Sequence, residues 1–342
     1  MRVIVDISHP SQVHFFKNLI LKFRKNKDKV LITARGKDVT LDLLKNLNFK
    51  HICLSHQTGG VFSMARELIL RYVLMWIIVK RFKPDILIAE TGVTIGLIGL
   101  LLRIPRIVEE DTEHAKLQRM IGLPFVSIIM TGLGYLGNHG RRERKFKGVW
   151  VQSYLNPEYF TPDASVLTDA GIDSSEPFIV LRMVSWSAAH DTGLHGYTEK
   201  QYLEIINKLS KYGRIIISSE GALPQSMAQY RNPVSPEKVH HLLAMALLYI
   251  GEGATMAAEA AVLGTPAIFC NPLPLGYLKA MEKDYQLVYN CENFDAGFEI
   301  AEKLLNIDNL KELWQQRRKK LLDESEDINE FMFRTVKEET TN

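Results

Sequence analysis

The chain has 342 residues, enough for two domains of ordinary size, and with 46% hydrophobic against 24% charged residues it is not a disordered chain. A net charge of +3 is too small to argue for nucleic acid as the partner. The cysteines, Cys53, Cys270 and Cys291, are odd in number and far apart, which excludes a disulfide framework or a cysteine metal cluster and suits a reducing cytosol.

Arg2 to Ile7 reads as a first strand, without the apolar length of a signal peptide. Ser8-His9-Pro10-Ser11 is a turn, and Val13, Phe16, Leu19, Ile20 and Phe23 recur at helical spacing, an apolar face that leaves His14 and Lys17 off the core. Val30 to Ala34 is strand two, Asp42 to Leu47 ends a helix, and Ile52 to Leu54 is a short strand three. Gly59-Gly60 precedes a long helix over Ser63 to Phe82, apolar on most faces and basic at both ends. It reads as a core helix or, more sharply, as a helix lying on a membrane surface, with Arg141 to Lys147 adding attraction to anionic lipid. Its most apolar part, Leu68 to Val79, is interrupted by Arg71 and too short to span a bilayer.

Ile86 to Ala89 is strand four, and Thr91-Gly92 opens a helix to Leu102. Ile104 to Val108 is strand five, and Val126 to Met130 strand six. Arg141 to Gly148 is a basic loop, and Tyr154 to Pro162 a boundary segment. A second series follows, with strands over Phe178–Leu181, Ile215–Ser218, Leu247–Ile250, Ala267–Phe269 and Leu287–Tyr289, then one long charged helix over Leu310 to Phe333. Short strands alternating with helices predict parallel sheets covered on both faces. The expected domains are 1–165, 166–310 and a C-terminal helix over 311–342. Two such halves predict an interdomain cleft at the carboxyl ends of their strands, where ligands of open α/β sheets bind.

Within the second half, Tyr249 to Pro272 reads as one βαβ step. The turn Gly251-Glu252-Gly253 feeds a small-residue helix opening near Thr255, and Gly264-Thr265-Pro266 stops it. Free N–H groups and the positive end of the helix dipole suit phosphate, whereas the competing reading is a plain packing unit. Glu259 is not at capping-box spacing from Thr255, so its carboxylate is left to accept from a partner such as ribose hydroxyls.

Other polar residues fall in loops expected at strand carboxyl ends. Ser8, His9, Ser11 and His14 flank the first helix start, where a histidine serves as a general base or a cap. Glu110 and Asp111 follow strand five, as sugar or base-catalysis carboxylates or as first-turn acids. Ser185, Trp186, His190 and Asp191 share one loop, and Glu220 another. No GxGxxG, GxxxxGK[ST], HExxH, CxxC or Asp-x-Asp occurs, which lowers dinucleotide, P-loop and metal readings; no metal site is expected.

The run GEGATMAAEAAVLGTPAIFCNP resembles the donor-nucleotide motif of GT-B glycosyltransferases, the peptidoglycan N-acetylglucosaminyltransferase among them, and of UDP-N-acetylglucosamine 2-epimerases. Together with DISHPSQVHFFKNLI, EEDTEHA, YLNPEYFTPD, VSWSAAHD and SSEGALP, it makes the whole chain similar to an archaeal and bacterial GT-B-like family of unknown function. That resemblance implies two Rossmann-like doubly wound domains, a terminal helix crossing back to the first, and a nucleotide-diphosphate sugar, UDP-linked, as substrate rather than a cofactor. It places Glu259 at the ribose and Gly253, Ala254 and Thr255, with Gly251 and Glu252 before them, at the phosphates. The first loop lacks the glycines of the peptidoglycan enzyme, so that enzyme's lipid-diphosphate acceptor is not carried over. The expected activity is metal-independent sugar transfer to an unidentified glycan or lipid-linked acceptor, with His9, His14, Glu110 or Asp111 as base. The rivals are a 2-epimerase and a non-catalytic binding protein. The expected location is cytoplasmic, with peripheral contact at the inner membrane face as the second reading.

Overall fold

The computed structural model describes residues 1–342 apart from Thr112, His114, Ser174, 185–196, Glu220, Pro274 and Asn342. It divides into two compact units, Met1–Tyr154 with Glu326–Asn342, and Leu155–Ser325.

The first unit runs β1 (Arg2–Ile7), α1 (Pro10–Lys25), β2 (Lys29–Gly36), α2 (Thr40–Asn46), β3 (His51–His56), α3 (Val61–Phe82), β4 (Ile86–Glu90) and α4 (Ile95–Leu102). It continues with β5 (Arg106–Glu109), α5 (Lys116–Gly122), β6 (Ile128–Thr131), β7 (Glu143–Lys145) and the single turn α6 (Gln152–Leu155). The seven strands pair in the order β3-β2-β1-β4-β5-β6-β7, all parallel. Right-handed crossovers from a parallel sheet wound outward both ways from β1 put α1 and α2 on one face and α3, α4 and α5 on the other. On that second face Met75 and Val79 of α3 and Ile95 and Ile98 of α4 pack over Ile4, Leu87 and Val108 of the strands. Strands buried on both faces need continuous apolar runs, as Val3-Ile4-Val5 and Ile86-Leu87-Ile88 supply.

The second unit holds α7 (Ser165–Asp169), β8 (Phe178–Met183), α8 (Glu199–Leu209), β9 (Arg214–Ser219), α9 (Val239–Met245), β10 (Leu248–Gly251) and α10 (Ala254–Leu263). After these come β11 (Ala267–Cys270), α11 (Gly276–Tyr285), β12 (Val288–Cys291), α12 (Phe294–Leu305) and α13 (Leu310–Glu324). Its parallel sheet has the order β12-β11-β10-β8-β9. Trp314 anchors α13 inside this unit, fully buried, with its indole N–H donating to Leu287 O at 3.1 Å.

Four local expectations differ from the structure. The helix expected over 310–333 is two helices, α13 and α14 (Ile328–Thr341), and α14 lies with the first unit against α1. The break follows from Asp327, whose side chain accepts from Asn329 N at 2.8 Å and Glu330 N at 3.3 Å and so starts a new helix. The basic loop at 141–148 contains β7, an edge strand paired with β6 and pinned by Thr131 Oγ1 donating to Glu143 Oε1 at 2.9 Å. The helix expected from Thr91 begins at Ile95, because Thr91 and Gly92 both adopt left-handed backbone (φ 58° and 78°). His14 is buried rather than off the core, 6% exposed and stacked on Tyr154 with ring centroids 5.5 Å apart.

Candidate functional site

In the first unit the polar residues gather where β1, β2, β4 and β5 end, since neighbouring parallel strands share one carboxyl edge. His9 is the N-cap of α1; its ring accepts from Ser11 N at 3.3 Å, and its Nδ1 lies 2.8 Å from Ser11 Oγ. Gln12, in the first turn of the helix and buried, accepts from Ser8 N at 2.6 Å through Oε1. Its side chain also hydrogen-bonds Glu90, the last residue of β4. Gln12 therefore ties the β1 loop to the end of β4.

Glu90 is in register with Glu109 across the β4–β5 pair, and Glu110 and Asp111 follow directly. Glu109 and Glu110 are 2% and 1% exposed. Burial pushes each of these glutamates toward the neutral acid, and the Asp111 charge adds to the push. Glu90 rises to about 8, with the Gln12 hydrogen bond and the Lys37 charge after β2 opposing. Glu110 rises to about 9 despite Arg119, whose Nε lies 3.4 Å from Glu110 Oε1. That contact lacks hydrogen-bond geometry, and among the described residues neither Glu110 oxygen accepts a hydrogen bond. An ion pair so poorly aligned does not repay the loss of hydration, so burial wins. Glu109 is held well above the usual carboxylate range by the same burial and three acidic neighbours. Arg119 is positioned in turn, Nη2 donating to Tyr135 Oη at 3.0 Å and Nη1 to Glu113 O at 2.7 Å. The outcome is a cluster of carboxyl groups that hold protons near neutral pH, the property required of acid–base catalysts.

The second unit presents the turn after β10. Gly251 has no room for a side chain, since a Cβ there would meet Arg182 Cβ at 2.5 Å and Arg182 O at 2.6 Å. Gly253 is the N-cap of α10 and supplies no side-chain cap, so the helix opens at Ala254, one residue before Thr255, with its first N–H groups unspent on side chains. The Arg182 side chain borders the turn: a Cβ built on Gly253 would meet its Cγ at 2.9 Å, and Nη1 donates to Ser218 Oγ at 2.8 Å. A cation beside an uncapped helix start is a favourable place for a multiply charged anion.

Glu252 points inward, 2% exposed, accepting from the Tyr202 hydroxyl and from Val184 N at 3.4 Å. Tyr202 is correspondingly pushed up by burial and by Glu252. Glu259, left for a ligand by the sequence reading, is 5% exposed, and its Oε1 lies 3.0 Å from His240 Nε2 on α9. This contact fixes the orientation of the carboxylate.

The structure thus groups Ser8, His9, Ser11, Glu110 and Asp111 at one edge, and Gly251 to Thr255 with Glu259 along another turn and helix. Ser185, Trp186, His190, Asp191 and Glu220 lie outside the described residues. The sequence reading missed Glu90, Gln12, Arg182 and His240. A terminal strand acid in Ile86–Glu90, in the same chain position as Glu109 in its own strand, was the available sign for the first. Among the described residues no group of three or more His, Cys, Asp or Glu is arranged to hold a metal ion.

Two parallel Rossmann-like sheets, each with polar loops at its carboxyl edge, define a GT-B-type α/β protein. Among solved structures the chain is similar to the UDP-GlcNAc 2-epimerase of Neisseria meningitidis bound to UDP-GlcNAc, at TM-score 0.73 and 14% identity, covering 99% of this chain and 100% of that one. It is similar also to the Methanocaldococcus jannaschii UDP-GlcNAc 2-epimerase in complex with UDP-GlcNAc and UDP (TM-score 0.65, 12% identity, 93% and 99% covered). The glycosyltransferase SsfS6 of Streptomyces sp. SF2575 follows at 0.63 and 11%, with 98% and 99% covered. At these identities the likeness is one of fold. The chain belongs to the DUF354 family, described as protein of unknown function, whose model matches residues 1–341. An uncharacterized relative, MJ0665 of Methanocaldococcus jannaschii, is 27% identical over 288 residues, 80% of this chain and 82% of that protein.

Proposed function

We propose that the protein acts on a UDP-linked sugar and inverts a carbon of that sugar by acid–base chemistry, without an acceptor. The observation that carries the reading is the carboxyl cluster, buried Glu109 and Glu110 with half-buried Glu90 and Asp111, whose glutamates burial and mutual repulsion push toward the neutral acid. Sugar transfer, the reaction expected from the sequence, needs one base at an acceptor hydroxyl. Inverting a carbon needs one group to take a proton and another to return one on the opposite face, so it needs a base and an acid together, and a site rich in carboxyl groups of differing protonation state can supply both. Beside the anomeric carbon, the C–H proton becomes removable when the diphosphate departs from the neighbouring carbon. The C–H and C–O bonds break and a C=C bond forms; re-addition of the diphosphate with a proton from the other face restores the sugar, and no oxidant is required.

In this reading Glu259, oriented by His240, accepts the ribose hydroxyls, and the start of α10 with Arg182 takes the diphosphate charge as it develops. The occurrence of UDP-GlcNAc and UDP in structures of the same fold supports UDP as the nucleotide. Transfer stays the second reading because the His9 ring, oriented by Ser11, supports a role as base for a hydroxyl. An NMR time course with UDP-GlcNAc alone separates the two: a second set of sugar resonances is expected without acceptor. Turnover only after an acceptor is added would establish transfer instead. Failure to bind UDP or any UDP-sugar in calorimetry would remove both.

A further inference from the structure

The layer formed by α3, α4 and α5 buries one face against the sheet and leaves the other uncovered. On α3 the outward stripe comprises Phe62, Ile69, Leu70, Val73, Trp76 and Ile77, spaced so that all point the same way. Phe62 is 93% and Ile69 64% exposed. The stripe is continued by exposed Leu100 and Leu101 on α4 and by Leu117 and Met120 on α5. Most of the exposed large apolar side chains among the described residues lie on these three helices. At about 1.5 Å per residue the α3 stripe alone is roughly 23 Å long, larger than scattered surface hydrophobics would make it.

The exposed charge carried by the three helices has one sign. Arg66, Lys80, Arg81 and Lys83 are exposed along and after α3, Arg103 closes α4, and Lys116 opens α5. The one acidic residue of the three helices, Glu67, is buried and neutralised by Arg35, whose Nε and Nη2 donate to it at 2.6 and 2.8 Å. A two-fold contact of this face with itself would bring its own cations together with no exposed acids on the helices to meet them. An anionic bilayer answers both properties: the basic residues meet lipid headgroups while the apolar stripe enters the acyl boundary. No helix among the described residues is long and apolar enough to cross a membrane, so the contact is in-plane.

We propose that the outer face of α3, with the exposed ends of α4 and α5, docks this protein on an anionic lipid bilayer. This stands independently of the reaction assigned above. The test is flotation of the full chain with vesicles of phosphatidylcholine alone and with phosphatidylglycerol added, paired with light scattering in the absence of lipid. The protein is expected to float with the anionic vesicles, to be released by high salt, and to be monomeric without lipid. Arg66→Gln and Lys80→Gln should each lower partitioning about five-fold. Phe62→Glu with Val73→Glu should abolish it while leaving the melting temperature unchanged, since both side chains are solvent-exposed. Recovery of the wild type in the soluble fraction with anionic vesicles would overturn the proposal. So would a lipid-free dimer that Phe62→Glu dissociates, which would assign the face to a second copy.

Discussion

Replacing Glu110 by Gln probes the carboxyl cluster through the pH dependence of stability. Glu110 is 1% exposed, and its carboxyl is raised to about 9 from an ordinary 4.5. Between those values the folded protein keeps a proton that the unfolded chain gives up, so its stability falls as pH rises. Each pH unit inside that window costs about 1.4 kcal/mol per such group, or about 3 kcal/mol from pH 6 to pH 8. For a domain of this size that corresponds to a fall in Tm of about 6–12 °C. Gln has the shape of the protonated acid and cannot ionise. The variant should therefore lose less stability over this range, by about 1.4 kcal/mol per pH unit, and gain most on the wild type at pH 8. Thermal unfolding of both proteins at pH 6, 7 and 8 measures this. Parallel pH profiles would refute the claim that burial outweighs the Arg119 ion pair at Glu110.

Other perturbations follow from the same geometry. Arg35→Ala removes the paired cation from the buried Glu67, leaving it only its Ser55 and Thr58 donors, and should cost about 3 kcal/mol in urea unfolding at pH 7. Because Glu67 is held down to about 2 in the fold, its stabilisation is complete above pH 4.5 and lost as pH falls toward 2; the variant should show a flatter acid limb. Gly251→Ala must push β8 and β10 apart at Arg182, and a loss of about 1–3 kcal/mol in the same assay is expected. His240→Ala should weaken UDP binding about ten-fold by calorimetry, since Glu259 loses the group that orients it; unchanged affinity would sever His240 from the site.

Much of the fold is legible in the chain because buried parallel strands demand unbroken apolar runs. Arg2–Ile7 and Phe178–Met183 announce themselves in this way, and Gly264, left-handed at φ 82°, ends α10 where the sequence places the stop. Strand β7 does not announce itself: Glu143-Arg144-Lys145 is an edge strand held by backbone pairing, with no apolar pattern to read. The same limit applies to the site. The glycine turn at 251–253 and its helix are contiguous and visible, whereas the partnership of Glu259 with His240 spans 19 residues and two helices. His14 falls outside the apolar spacing of α1, yet Tyr154 covers it, and only the fold supplies that neighbour. Glu90 acquires its chemistry from strands that meet it across the sheet, which no local pattern encodes.

The backbone just after Glu90 carries a further consequence. Thr91 is β-branched and sits at φ 58°, where glycine is the comfortable occupant, and its amide reaches Glu109 O at 3.1 Å. A residue in that conformation costs about 1–3 kcal/mol, and Gly92 behind it, itself left-handed, admits no larger residue, a Cβ there meeting Val126 and Val108 within 3 Å. Any laboratory selection for heat resistance alone would be drawn to Thr91→Gly. The exchange would relieve that strain and keep the amide bond to Glu109 O, which belongs to the backbone.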